Sequence, residues 1–288
     1  MQEYWLHCSL EIGAAHLDAA ANFLIERGAP GVVLKRHGLE AYFRRSRDDG
    51  ALKAAVRRFL RAIESLNGRG AEPRVKWQVV GNENWHDSWR RFIKPRRVGR
   101  YFWLTPPWLT PPKFRRRQVI TIEPGLAFGT GTHATTRGCM EFLEQVADSL
   151  RDRGFTALDV GTGAGILAIA LVKLGAKRVW AIDNDAVALE VARQNLRAND
   201  TSDRVHLSGA KLGGIKKKFP VVVANLTAET IVDLAEALEK KISRKGFLIL
   251  SGIMQQKANT IVRRFRANFH VVRIKRGREW ATLLLQKR

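Results

Sequence analysis

The segment 158–171, LDVGTGAGILAIAL, constrains this chain more than any other stretch. An apolar run enters a glycine-rich turn and leaves as an apolar helix, so the sequence predicts a strand, a tight turn and a helix in that order. Gly161, Gly163 and Gly165 form a GxGxG turn. Glycine there lets a ligand approach the backbone, and the helix that follows offers unpaired amino-terminal N–H groups. The dinucleotide fingerprint asks for a small residue where Ile166 stands, which weighs against a nicotinamide nucleotide. Asp183, in WAIDNDAVAL, falls 22 residues after Gly161 at the end of the next expected strand. A carboxylate at that place accepts both hydroxyls of a ribose. A structural turn with a helix-capping aspartate explains the same residues without a ligand.

The pattern around this segment sets the fold class. From about Lys113 onward, expected strands (118–122, 156–160, 178–182, 205–208, 220–224, 246–251, 270–276, 280–286) alternate with expected helices (132–150, 166–174, 187–198, 230–242, 256–268). Such alternation, with uninterrupted apolar runs such as VVVA, predicts an α/β, doubly wound, mostly parallel Rossmann-like sheet. The last two strands, joined around Gly277, predict an antiparallel edge. The first 80 residues read as β-α-β-β-α-β, a small α+β ferredoxin-like arrangement. Residues 1–80 are therefore expected to form a recognition domain, 81–117 a linker, and 118–288 the ligand-binding domain. Five of the nine prolines fall in residues 82–112, along with Trp85, Trp89 and the basic, aromatic run KPRRVGRYFW. That run serves either as packing at a domain junction or as a partner-binding, RNA-stacking surface.

Composition narrows the class. A chain of 288 residues predicts about two domains. The longest charge-free stretch around the most apolar segment, Val160–Val172, has 13 residues, short of the roughly 20 that cross a membrane. The amino-terminal residues lack the apolar core of a secretory signal, and Cys8 and Cys139 have neither disulfide-framework nor metal-ligand spacing. A cytoplasmic, metal-free protein is the expectation. Net charge is +23, split as +12 over residues 1–120 (23 basic, 11 acidic) and +11 over the remainder (27 basic, 16 acidic). So even a spread attracts RNA or an acidic partner, and it equally describes a solvated surface.

Two further stations complete the site. Asn225 follows the apolar run PVVVA and so emerges at the carboxyl edge of the sheet, where ligands of open α/β sheets bind. Its amide offers a donor and an acceptor, suited to a substrate amine or a cofactor group; a turn residue is the alternative. Residues 123–136, EPGLAFGTGTHATT, place three glycines and the hydroxyls of Thr132, Thr135 and Thr136 at a helix start. Such a loop can close over a ligand or simply cap the helix, and His133 is either a base or a hydrogen-bonded loop residue.

Together EPGLAFGTGTHATT, LDVGTGAGILAIALVKLGA, AIDNDAVALEVARQN, VVVANLTAE and LSGI (Leu250–Ile253) resemble, in order and spacing, the ribosomal protein L-eleven methyltransferases, PrmA. NENWHDSWRRFIKPRRVGRYFWLTPPW also resembles that family's linker. The resemblance implies a class I, S-adenosylmethionine-dependent protein methyltransferase that modifies lysine side chains, the N-terminal α-amine, or both, of ribosomal protein L-eleven. It implies cofactor contacts at Thr136, Gly161, Asp183 and Asn225, with Gly163 and Gly165 in the same turn and Phe128 and His133 in the closing loop. Asn225 is further expected to position the amine, no dedicated base being identified. The implied partner is L-eleven, docked by the first domain; a weak contact to ribosomal RNA, no membrane and a monomeric state are separate expectations. Glu123, Ala134 and the run Asn225-Leu226-Thr227 depart from the family's commonest pattern, and the last borders the acceptor. The competing readings are a ribosomal RNA methyltransferase using the basic surface, and a non-catalytic cofactor-binding protein of the ribosome.

Overall fold

The structure, a computed structural model, describes residues 4–35, 38–45, 49–67, 74–81, 94–110, 117–122, 133–150 and 154–288. These residues fold as two compact units, one ending at Lys94 and the other beginning at Pro95.

In the first unit, alternation along strand β1 (Tyr4–Glu11) buries Leu6, Cys8 and Leu10 on one face. Helix α1 (Leu17–Glu26), strands β2 (Val32–Lys35) and β3 (Gly38–Arg44), helix α2 (Asp49–Asn67) and strand β4 (Arg74–Gly81) follow. The sheet is antiparallel throughout, in the order β2-β3-β1-β4. With a helix in each crossover, this is the strand order of a split β-α-β unit. Leu39, Ala41 and Phe43 of β3 pair across from Leu10, Cys8 and Leu6. Val56, Leu60 and Ile63 supply the stripe of α2 that covers them, and Phe23 stacks on Phe59 with ring centroids 4.3 Å apart. Full burial of one such side chain contributes about 1.5–3 kcal/mol, so packing of this face carries the unit.

The second unit opens with a three-stranded sheet, β5 (Arg96–Val98), β6 (Phe102–Thr105) and β7 (Gln118–Thr121). Val98, Phe102 and Leu104 are buried in the core, so Phe102 of the run KPRRVGRYFW packs inside and is not a surface for base stacking. The turn between β5 and β6 rests on Glu144, which accepts from the backbone N–H groups of Arg100 (2.8 Å) and Tyr101 (2.9 Å).

The main sheet has seven strands: β8 (Phe155–Val160), β9 (Ala176–Ile182), β10 (Val205–Ser208), β11 (Phe219–Asn225), β12 (Ile242–Met254), β13 (Phe269–Arg276) and β14 (Trp280–Lys287). Their order is β10-β9-β8-β11-β12-β14-β13. The first five are parallel, and β14 runs antiparallel to both β12 and β13, giving the antiparallel edge. Val221 and Val223 pack into one core and Val222 and Ala224 into the other, which explains the unbroken apolar run of β11. Helices α3 (Ala134–Leu150), α4 (Ile166–Lys173) and α5 (Ala186–Ala198) contribute to the first core. The single helix expected over 230–242 is two, α6 (Ala228–Asp233) and α7 (Ala235–Lys241). Backbone bonds run through the join, from Leu234 N–H to Thr230 and from Leu238 N–H to Leu234, while Ile242 is taken by β12, where it pairs with Phe219. Helix α8 (Ala258–Phe265) closes the second core. No helix among the described residues is long and apolar enough to cross a membrane.

Candidate active site

Strands β9, β8 and β11 are neighbours, so Asp183, Gly161 and Asn225 stand at or just past the carboxyl ends of three adjacent parallel strands. From β8 the chain crosses first to β9 on one side and later to β11 on the other, which makes this edge the topological switch point where α/β sheets bind ligands.

The turn after β8 is held by backbone bonds. The N–H groups of Gly161 and Thr162 both donate to the carbonyl of Ile182, at 2.9 and 3.0 Å. Gly161 has φ +71°, a conformation that favours glycine, and a Cβ there would lie 2.4 Å from Leu226 Cδ2. Gly163 N–H donates to Asp183 Oδ2 (2.8 Å), and Asp185 N–H donates to Asp183 Oδ1 (3.1 Å). These bonds orient the Asp183 carboxylate and leave each oxygen a further acceptor site, which two vicinal hydroxyls can fill. Gly165 occupies the N-cap position of α4.

Below the turn lies Asp159, a residue that the sequence pattern does not single out. It is fully buried, and Thr162 Oγ1 donates to its Oδ2 at 2.7 Å. Burial, reinforced by the neighbouring Asp183 charge, pushes its carboxyl up to about 7, while the Thr162 hydrogen bond pulls the other way. Asn195 is a second such residue: its Nδ2 donates to the Ala164 carbonyl (2.9 Å) and holds the turn from behind. The available signal was a polar residue on the apolar stripe Ala188, Ala192, Leu196 of α5.

Across the switch point, Asn225 Nδ2 donates to Thr136 Oγ1 at 3.5 Å. Thr136 is buried in the first turn of α3, so the two sequence-predicted residues are brought together. His133 sits immediately before α3, with its Nδ1 2.6 Å from Thr135 Oγ1 and its ring edge-on to Trp280, centroids 5.2 Å apart. Its Nδ1 also accepts from Thr135 N–H (3.4 Å), a helix-capping arrangement. Phe128 and Thr132 lie outside the described residues. No cluster of three or more His, Cys, Asp or Glu among the described residues is arranged to hold a metal ion. Both thiols are buried; burial pushes Cys8 up to about 12 and Cys139 also upward, so neither supplies a thiolate.

Whether S-adenosylmethionine suits these residues is decided by what they leave unsatisfied. Asn225 Oδ1 is shielded from solvent and has no hydrogen-bond partner, and the same holds for Asp159 Oδ1. Buried acceptors without partners are rare and mark places built for a donor. The ribose hydroxyls of S-adenosylmethionine supply donors for the open acceptor sites of Asp183, and Asn225 Oδ1 stays open for an amine, so the residues fit the group.

The chain matches the model of the family described as ribosomal protein L11 methyltransferase (PrmA) over residues 4–288. It is 35% identical over 309 residues to the ribosomal protein L11 methyltransferase of Pelobacter propionicus, covering 100% of this chain and 99% of that protein. The corresponding protein of Streptococcus pyogenes is 31% identical over 310 residues, covering 99% and 96% of the two chains. The crystal structure of ribosomal protein L11 methylase from Lactobacillus delbrueckii subsp. bulgaricus superposes with a TM-score of 0.62 at 31% identity, covering 68% of this chain and 100% of that one. With the switch-point site and a family match over nearly its whole length, this chain belongs to the ribosomal protein L11 methyltransferase family.

Proposed function

We propose that this chain methylates amino groups of ribosomal protein L11, lysine side chains, the N-terminal α-amine, or both, with Asn225 positioning the acceptor nitrogen. Family membership makes it an S-adenosylmethionine-dependent protein methyltransferase. The observation that carries the residue-level reading is the buried, partnerless Oδ1 of Asn225 beside Thr136.

S-adenosylmethionine, when bound, supplies a methyl group made electrophilic by its sulfonium. Asp183, held by Gly163 and Asp185, accepts the ribose hydroxyls; the turn at Gly161, Gly163 and Gly165 gives close backbone approach; Thr136 and His133 line the opposite wall, and Phe128 belongs to the same segment. Asn225 Oδ1 accepts one N–H of the incoming amine, which aims the nitrogen lone pair. The amine must be neutral to react. A lysine side chain begins near 10.4 and an α-amine near 7.7–8.0, and enclosure at this edge favours the uncharged form. The proton passes to water, since the described site contains no carboxylate or imidazole free of other bonds that would serve as base. Positioning then supplies most of the acceleration. The first unit docks L11, and the reaction takes place in the cytoplasm on a monomeric enzyme.

The test uses purified protein, tritiated S-adenosylmethionine, and ribosomal proteins plus ribosomal RNA from cells lacking the enzyme. Label in L11 that disappears with Asp183→Ala supports the reading. Label in RNA overturns it in favour of an RNA methyltransferase, and cofactor binding without label in any acceptor overturns it in favour of a non-catalytic protein.

A further inference from the structure

The motif LSGI, Leu250–Ile253, lies behind the cofactor edge, yet both walls of the acceptor side are tied to it. Strand β12 breaks register with β14 between Leu250 and Ile253, placing an irregularity at Ser251 and Gly252. Irregularities of this kind re-aim side chains beside active sites. Ser251 is fully buried, pairs with Asn225 in the parallel ladder, and its carbonyl accepts from Leu226 N–H at 3.0 Å. Gly252 has φ +80°, and a Cβ on it would lie 2.3 Å from the Leu226 carbonyl oxygen, so the chain can turn here only with glycine. The Ser251 hydroxyl lies 3.2 Å from the Thr135 carbonyl and 2.9 Å from Thr282 Oγ1. A carbonyl cannot donate, so Ser251 donates to Thr135 and Thr282 donates to Ser251. One hydroxyl thus joins β12 and β14 to the first turn of α3.

We infer that Ser251 is a positioning residue for methyl transfer: it holds Asn225–Leu226 and Thr135–Thr136 in one register, so that the amide of Asn225 and the hydroxyl of Thr136 face the acceptor from fixed places. The inference rests on the role assigned above to Asn225 and Thr136. Ser251 itself is fully buried and acts through Asn225, Leu226, Thr135 and Thr282. Its backbone sets the exit angle of β11, and its side chain sets the start of α3. Removing the hydroxyl lets these two walls move relative to each other, while the turn at Gly161 and the carboxylate of Asp183 stay anchored by bonds of their own.

The experiment compares full-length wild type, Ser251→Ala and Thr282→Val, measuring kcat and KM for S-adenosylmethionine with L11 as acceptor, alongside thermal melting. Ser251→Ala is expected to lower kcat about 10- to 100-fold, the effect of a sub-ångström to ångström misplacement, while KM for the cofactor changes less than about threefold. Thr282→Val removes only the bond into Ser251 and is expected to lower kcat about three- to tenfold, again without moving KM. A kcat for Ser251→Ala within about twofold of wild type, or a loss matched by an equal rise in cofactor KM, overturns the inference. Should Ser251→Ala fail to fold, Thr282→Val decides by the same criteria: an unchanged kcat refutes the role. Wild type that transfers no methyl group to L11 would refute the proposed function instead, so the two failures are distinguishable.

Discussion

The four-stranded sheet of the first unit packs on one helix-covered core and the seven-stranded sheet of the second on two, and they bury different things. In the first unit, the buried side chains among the described residues are apolar. Among the described residues the buried polar and charged side chains fall between Thr105 and Thr282, and Thr135, Thr136, Asp159, Thr162, Ser251 and Thr282 gather at or just beneath the carboxyl edge of the seven-stranded sheet. Burying a polar group without a partner is costly, and the core of the first unit does without such groups. Burial alone does not mark function, however. Glu144 is buried to hold the turn between β5 and β6, and both its oxygens accept backbone bonds. What sets the edge apart is an open acceptor oxygen: Asn225 Oδ1 is shielded and lacks a donor, whereas the shielded unpaired atoms of His7 and Trp77 in the first unit are ring nitrogens. The seven-stranded sheet's edge is thus a buried polar network with an acceptor still unfilled.

Substitutions that act on one sheet and not the other can break or sharpen that contrast. The largest expected effect is electrostatic. Asp159 holds its proton in the folded state up to about 7, against 3.8 as its ordinary value. Its contribution to stability is therefore full below about pH 4 and is lost as pH rises through about 7. Asp159→Asn removes this dependence, so the stability of the variant relative to wild type should climb between pH 4 and 7 by on the order of 4 kcal/mol. Chemical denaturation across that range reads it, and a gap that stays constant with pH would mean the carboxyl is not buried and protonated as described.

Next comes Asn225→Ala, expected to slow transfer about 100-fold by releasing the acceptor nitrogen. Steady-state kinetics with L11 measures this. Gly161→Ala imposes a left-handed conformation worth about 1–2 kcal/mol and drives a methyl into Leu226, so cofactor affinity should fall about tenfold; calorimetry reads the change. The smallest effect belongs to the other sheet. Ile63→Val in α2 should lower the stability of the first unit by about 0.5–1.5 kcal/mol and leave cofactor affinity unaltered. A parallel loss of affinity would show that the two cores are not separate in function.

What could be read from the amino-acid order followed from distance along the chain. The β8–turn–α4 segment and Asp183 lie within one β-α-β unit, and local periodicity revealed them. Asn225 could be placed because four apolar residues lead directly to it. The Ser251 network could not be seen, because its partners Thr135 and Thr282 are 116 and 31 residues away and meet only when the sheet closes. Asp159 was hidden in plain view, reading as part of an apolar strand whose neighbours determine that its carboxyl is desolvated. Around β5 and β6 the prolines were suggestive of a connector, but Pro95 and Pro106 flank the strand pair and do not interrupt it, so a short hairpin fits between them.

The most direct measurement of the central claim follows methyl transfer to L11 and cofactor affinity together, in the same preparations of wild type and Asn225→Ala. Tritiated S-adenosylmethionine reports transfer, and calorimetry with S-adenosylhomocysteine reports binding. The expected result is efficient label in L11 with wild type and about a 100-fold loss with Asn225→Ala. Full turnover and unchanged affinity in Asn225→Ala would contradict the claim that the unfilled acceptor at this edge is where the amine is held.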